Sequence, residues 1–527
     1  MVSSADPEAT AAGVRVLEAG GNAFDAAVAV AATLGVAEPM NSGIGGYGTI
    51  PTYSARDKRV RFLNSSGRIP RGVNSDAFRA PAPDFEANRR GAKAVSTPGN
   101  VAAWAALSRE YGSAEWSSLF RDAILLADRG FPTSSKTAEV IRAAFGWFSA
   151  EARGFYGLNG EPLPAGASLV QRDLARSLTL IARDGDRAIG DGPLGAAIDS
   201  TMREAGSFLR ATNLRANVAD WSDAIFIDYR GAMVYTAPPP ANAFDYLVRL
   251  GLMAQLDVRG LGHNSASYLH QSAEVTKHAF GVRLRHAGDP EISPPPLSLL
   301  LSTAYWVEQA RALSLDRASQ FKGPAASPAS SENTTHFVVA DAAGNIVSAT
   351  QTLGNLFGSR IMPAGTGVWL NNSLAYSTFE PKGNPMDAHP GRRKLSGDCP
   401  TIIFRDGRPF AALGTPGGHT IGQTVAQMVM NLVDFNMIDA AIDTSRVSFI
   451  ELNQLAVDDG VPAPVRSALA GLGPDVVIRQ LGDAHGMTVE HFDAGRLKRL
   501  VGAADCRGEG AARGHQSTLP APRGQER

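Results

Sequence analysis

Cysteine is nearly missing from this sequence: Cys399 and Cys506 are the only two among 527 residues. Two thiols cannot build a disulfide scaffold or a thiolate metal cluster, and they leave the redox compartment undecided. Neither sign of charge is in excess, with 50 Lys+Arg against 51 Asp+Glu and a formal net charge of −1. Such a chain has no bulk cationic field for a polyphosphate backbone, so no nucleic acid partner is expected. Long hydrophobic runs are missing as well. The longest, such as residues 26–36, are interrupted by Thr or Gly and fall short of the roughly 20 residues a bilayer requires, so no membrane span is expected. The start, MVSSADPEATAAG, has neither a cationic nor an apolar segment of the kind a signal peptide needs. The localisation expected is therefore either cytoplasmic or exported with the leader removed. What is present, 44% hydrophobic and 19% charged residues with 55 Gly and 32 Pro, is the composition of a folded chain with a large core.

Periodicity divides the chain. Residues 9–19 and 23–36 read as two helices separated by Gly20-Gly21, the second apolar enough to be buried all round. The glycine loop from Ser42 to Gly48 leads into a hairpin, GTIPTYSA and VRFLNSSG around Arg56-Asp57-Lys58-Arg59. That loop feeds a strand, opens no helix and lacks a following Lys-Ser/Thr pair, which excludes a phosphate loop. Residues 101–191 are mostly helical in pattern, IFIDYRGAMVYTA is a strand signal, and residues 268–282 return to helix. DRASQFKGPAASPASSEN, residues 316–333, reads as an exposed linker. Strands dominate after it: THFVVAD and IVSATQTL form one hairpin, TIIF and PFAALGT another, and Pro416-Gly417-Gly418 hands over to a helix near residues 420–433. The tail from 507 to 527 carries one Leu and no other large apolar residue, and is expected to be disordered.

A wet linker that runs straight into a core strand is a poor place for a continuous chain. A break between Asn333 and Thr334 would relieve the conflict and leave Thr334 with a free α-amine of pKa about 7.7–8.0, against about 10.4 for a lysine. Such an amine can serve as the general base for the threonine's own hydroxyl. Gly417 and Gly418, between a strand and a helix, offer two backbone N–H groups suited to an oxyanion. Taken singly, Thr-Thr-His also fits plain strand propensity and Gly-Gly a plain tight turn.

In chain order, the pieces DPEATAAGVRVLEAGGNAFDAAVAVAATLGVAEPMNSGIGGYG, VSTPGNVAAW, AILLADRGFPTS, DYRG, TTHFVVADAAGNIVSATQT, GTGVWLNN, GTPGG and GAADCRGEGAA resemble the γ-glutamyltranspeptidase family of N-terminal-nucleophile (Ntn) hydrolases. The resemblance spans residues 3–513. It implies an α+β fold, the four-layer αββα sandwich, and a precursor that cleaves itself between Asn333 and Thr334. A large-subunit region of residues 1–333, holding the helical block and first strands, would then pair with a small-subunit region of residues 334–506. It further implies Thr334 as nucleophile, Thr352 as the threonine supporting it, Gly417 and Gly418 as oxyanion donors, and no cofactor or metal. The partners implied are a small amide or γ-glutamyl substrate and the two chains of one precursor.

The donor pocket departs from the family pattern. The carboxylate-binding Arg is replaced by Ser66, with Arg68 two residues on. Ser373 and Tyr376 stand where the family binds the donor ammonium, and the family's Ser-Ser pair is Ser396-Gly397. Two readings stay open: a γ-glutamyl enzyme using shifted partners such as Arg68, or an acylase for another acyl group. Hydrolysis is expected over efficient transpeptidation. A third reading, from a different class, is a non-catalytic scaffold with a decayed pocket. Elsewhere, His263, His270, His278 and His286 lack metal-ligand spacing and read as scaffold. The resemblance places residues 270–289 in a structural helix, while His336 reads as packing behind the nucleophile, Cys399 as a packed thiol, and Arg392-Arg393-Lys394 as a solvated charge run.

Overall fold

The computed structural model describes residues 1–321, 333–438, 440–450, 453–493 and 496–514. Strands used below are β1 (Val2–Ser4), β2 (Tyr47–Ser54), β3 (Arg59–Asn64), β4 (Asp220–Asp223), β5 (Ile225–Tyr229), β6 (Ala232–Thr236), β7 (Thr335–Ala340), β8 (Ile346–Thr352), β9 (Thr401–Arg405), β10 (Arg408–Gly414), β11 (His485–Asp493), β12 (Arg496–Ala504) and β13 (Ala511–Arg513). Helices are α1 (Pro7–Glu18), α2 (Ala23–Ala37), α3 (Asn100–Tyr111), α4 (Arg121–Arg129), α5 (Arg172–Asp184), α6 (Phe244–Met253), α7 (Ala266–His286) and α8 (Ile421–Val433).

A seven-stranded antiparallel sheet runs β13-β1-β7-β8-β2-β3-β4, and a six-stranded one runs β12-β11-β10-β9-β6-β5. Period-2 alternation assigns the faces. In β7, Phe337 and Val339 join a core with α2, α3, α4 and α5, while Val338 and Ala340 meet Ile402, Phe404, Ala412 and Met487 of the second sheet. The outer face of that sheet, with Ile403, Ala411 and Leu413, packs on α6, α7 and α8. Helices, sheet, sheet, helices: the four-layer αββα sandwich expected of an α+β Ntn hydrolase is the fold.

Local chemistry explains the elements nearest the site. Asn22 and Asp25 form a capping box on α2, and nearly every residue of that helix is buried. The β7–β8 hairpin closes on Asp341, which accepts from the Asn345 backbone and side chain, with Gly344 at φ +103°. IFIDYRGAMVYTA is two strands rather than one, turned at Arg230-Gly231, both at positive φ.

Two expectations change. Residues 316–321 are not a free linker: Lys277 Nζ donates to the Ser319 carbonyl (2.7 Å), and Phe321 packs on Phe280 and Phe449. The rest of that stretch, 322–332, lies outside the described residues. The tail is ordered through 514, because an edge strand needs backbone hydrogen bonds rather than large side chains. Ala511–Arg513 pair with β1, and Arg507 binds Asp505 and Asp458. Residues 515–527 lie outside the described residues. The Asn333–Thr334 bond divides one fold and not two domains, since the seven-stranded sheet takes β1 to β4 from before it and β7, β8 and β13 from after it.

Candidate active site

Thr334 immediately precedes β7, the third strand of its sheet, and both it and Asn333 are buried. Its Oγ1 donates to Thr352 Oγ1 at 3.3 Å. The Thr352 hydroxyl donates to the Asn333 carbonyl oxygen at 2.6 Å and accepts from the Gly354 amide at 2.9 Å. Hydroxyl, hydroxyl and the carbonyl of the preceding peptide are thus chained across the end of the β7–β8 hairpin. The glycine loop exists to let backbones meet here: a Cβ on Gly46 would lie 2.6 Å from the Thr352 carbonyl and one on Gly48 2.2 Å from that of Thr350.

The second sheet brings the glycine pair. Gly414, the last residue of β10, lies against the His336 ring, where a Cβ would come within 2.3 Å. From there Pro416, Gly417 and Gly418 lead into α8. Gly417 and Gly418 have φ of +128° and +59°, a backbone that L side chains rarely adopt. Their amides make no hydrogen bond among the described residues, while the Gly417 carbonyl is held by the Thr420 hydroxyl (2.8 Å). Two unspent N–H groups before a helix N-terminus suit a developing negative charge.

Around this, Tyr376 donates to Asn355 Oδ1 at 2.7 Å and its ring borders Gly354, beside Thr352. Ser373 is buried and tied to Ser96 Oγ (2.5 Å) and Asn371 Oδ1. Ser396 Oγ accepts from the Asp398 amide at 3.1 Å. The carboxyl of Asp398 is pushed up to about 7 by burial, with the hydroxyls of Ser396 and Thr49 opposing the shift. Burial, then Tyr376 and Asp398, hold the Tyr47 phenol well above its ordinary range.

Arg68 is not part of it. Its guanidinium binds Asp220 (3.0 Å) and the Gly391 carbonyl, and it lines a cavity of about 280 Å³ with Arg71, Thr97 and Val218 that none of the other candidates lines. The charge-run reading of Arg392-Arg393-Lys394 holds for Arg392 alone. Arg393 is buried on Asp220 and the Ser66 carbonyl, and Lys394 is buried outright. The histidines have protein partners: His263 with Asn431, His270 with the Ser314 carbonyl, His278 with Tyr305. His336 is fully buried between the sheets, its Nδ1 on Thr350 Oγ1 (2.8 Å), and burial with His485 nearby holds it neutral. Burial raises the Cys399 thiol well above its ordinary value.

Sequence reasoning missed Glu38 and Asp398. Glu38 follows α2, accepts from Thr335 Oγ1 (2.9 Å), and is raised to about 7 by burial and by Asp483. The available signal was weak: Asp398 stands just before the apolar strand TIIF.

A model of the gamma-glutamyltranspeptidase family matches residues 9–515. The chain belongs to that family. It is 32% identical over 540 residues to the glutathione hydrolase proenzyme of Bacillus subtilis (strain 168), covering 98% of this chain and 91% of that one. It is also 32% identical over 527 residues to the acylase ACY 1 proenzyme of Pseudomonas sp. (strain V22), covering 97% and 92%. The cephalosporin acylase structure from Bacillus halodurans superposes with a TM-score of 0.88 at 26% identity, covering 98% of this chain and 96% of that one. As a gamma-glutamyltranspeptidase-family protein, the chain is an enzyme of the Ntn-hydrolase type made as a self-processing proenzyme. No helix among the described residues is long and apolar enough to cross a membrane.

Proposed function

We propose that the protein cuts itself between Asn333 and Thr334 and then uses Thr334 to cleave an amide bond, γ-glutamyl or a related acyl group. The observation that carries this is the chain of contacts from Thr334 Oγ1 through Thr352 Oγ1 to the Asn333 carbonyl. In the precursor, Thr334 Oγ1 attacks the Asn333 carbonyl carbon while the Thr352 hydroxyl steadies the oxygen that becomes negative. Collapse breaks the C–N bond, the nitrogen takes a proton, and water hydrolyses the resulting ester.

The freed α-amine then acts as base for the Thr334 hydroxyl. The hydroxyl adds to the substrate amide, the Gly417 and Gly418 amides hold the oxyanion, and the amine leaves with the proton. Water releases the acyl group in preference to an acceptor amine, since the pocket lacks the family's paired serines at Ser396-Gly397. Names of relatives on both sides, glutathione hydrolase and acylase, support the amide-cleaving reading and leave the acyl group to experiment.

A denaturing gel with Edman sequencing tests it. Purified protein should give two chains, the smaller beginning Thr334-Thr335-His336, and Thr334→Ala should give one inactive band. An active enzyme that stays whole would defeat the reading. Intact mass of the small chain, quenched during turnover of γ-glutamyl-p-nitroanilide or of a carboxylated acyl anilide, identifies the acyl group held.

A further inference from the structure

Glu38 stands where a helix least accommodates a carboxylate. It caps the C-terminus of α2, its amide on the Leu34 carbonyl (2.8 Å), where the negative end of the helix dipole repels an anion, and the last turn of α2 carries no basic residue. The side chain is nonetheless held by both oxygens. Oε2 accepts from Thr335 Oγ1 at 2.9 Å and Oε1 from Asn41 Nδ2 at 3.1 Å.

These two contacts lead to the two sides of the reacting pair. Thr335, wholly buried, is the residue after Thr334. Asn41 leads to Thr352: its carbonyl accepts from the Leu353 amide (2.8 Å), and the Met40 carbonyl beside it accepts from the Phe357 amide (2.9 Å). The loop itself closes on Glu38, whose carbonyl accepts from the Asn41 amide (2.9 Å). Support of this kind is needed here. Thr335 and Gln351 are the last pair of the β7–β8 ladder, so Thr334 and Thr352 meet one step beyond the hydrogen bonds that set the hairpin's register. Reacting groups misplaced by about 1 Å can lose about 100-fold in rate.

We propose that Glu38 is a positioning residue for the nucleophile: through Thr335 on one side and Asn41 on the other, it holds the Thr334 and Thr352 hydroxyls in register. This rests on the reading of Thr334 as nucleophile. Glu38 acts through its neighbours and not on the reacting atoms, by accepting two hydrogen bonds at once. Leucine at this position accepts none. Glutamine serves both, its oxygen accepting from Asn41 and its nitrogen donating to the Thr335 hydroxyl, which can turn to accept.

Self-cleavage of the full chain, made in a cell-free translation pulse and followed as the half-time of the precursor band, tests this without a substrate. Glu38→Leu and Thr335→Val should each lengthen the half-time roughly tenfold or more. The double variant should be no slower than Glu38→Leu, because both changes break one contact. Glu38→Gln should stay within about threefold of wild type. Asp25→Ala, in the first turn of α2, loosens the same helix without touching this contact and should cleave at the wild-type rate. Thr335→Val keeps the shape of the side chain, so it decides the matter even where Glu38→Leu does not fold. Thr335→Val or Glu38→Leu cleaving as fast as wild type would overturn the assignment. So would effects that multiply in the double variant, Glu38→Gln as slow as Glu38→Leu, or Asp25→Ala as slow as either. Wild-type protein that stays whole would instead remove the Thr334 reading, and the assignment with it.

Discussion

Thr352 occupies a position where one hydroxyl has three partners: it accepts from Thr334 and Gly354 and donates to Asn333. Valine has the same shape and none of these bonds. Thr352→Val should therefore fold and slow self-cleavage by about 100-fold, the cost of losing one oxyanion donor, read as the half-time for the precursor band to disappear. Unchanged cleavage would remove Thr352 from the mechanism. Glu38 offers a pH test. Its folded pKa, about 7, lies above the ordinary carboxyl value of 4.5, so the folded state holds the proton more tightly than the unfolded state. That contribution is fully present below pH 4.5 and is lost as pH rises through 7, an amount of about 3 kcal/mol by linkage. Glu38→Gln should thus gain stability over wild type as pH goes from 5 to 8.5 in urea titrations, whereas a constant difference between the two proteins would show that Glu38 does not titrate while buried. Thr334 and the glycine pair stood out in the sequence because each belongs to a local pattern, a strand start or a strand-to-helix turn, whereas Thr352 was singled out by the family resemblance alone. That Arg68 pairs with Asp220, 152 residues away, is a contact no local pattern reveals.

Among the elements, α2 shows how one side chain can fix both a helix and its neighbour. Asp25 accepts from the Asn22 amide within its own capping box and from Ser113 N, Ser113 Oγ and Ala114 N beyond the end of α3. Removing it strips a cap and takes the buried carboxylate away from donors on Asn22, Ser113 and Ala114. Asp25→Ala should cost about 2–4 kcal/mol, seen as a lower urea midpoint with an unchanged slope and the same two bands on a gel. A change under about 0.5 kcal/mol would mean water replaces the carboxylate at no cost. The hairpins were legible because alternation and turn residues are local. Which face of β7 meets helices and which meets the second sheet was not, since Phe337 and Val338 are equally apolar and only the strands' partners tell them apart.

At the level of the whole molecule, cleavage before Thr334 would leave β7 and β8 bonded between β1 and β2. The chains 1–333 and 334–527 should therefore co-elute in native gel filtration and unfold in one cooperative transition, separating only in denaturant. Two separate transitions, or chains that part under native conditions, would contradict a shared sheet. The sequence by itself determined the hairpins and the broad order of helices and strands, which follow from period and turn chemistry along a short stretch, while its family resemblance carried the four-layer class and pointed to Thr334 and the glycine pair. Only the tertiary structure decided how the charges are placed: Arg68 and Arg393 sharing Asp220, Lys394 buried on the Leu395 carbonyl, Asp398 buried beside Ser396. A charge's value to a substrate depends on what else stands within a few ångströms, and that is a property of the packed chain.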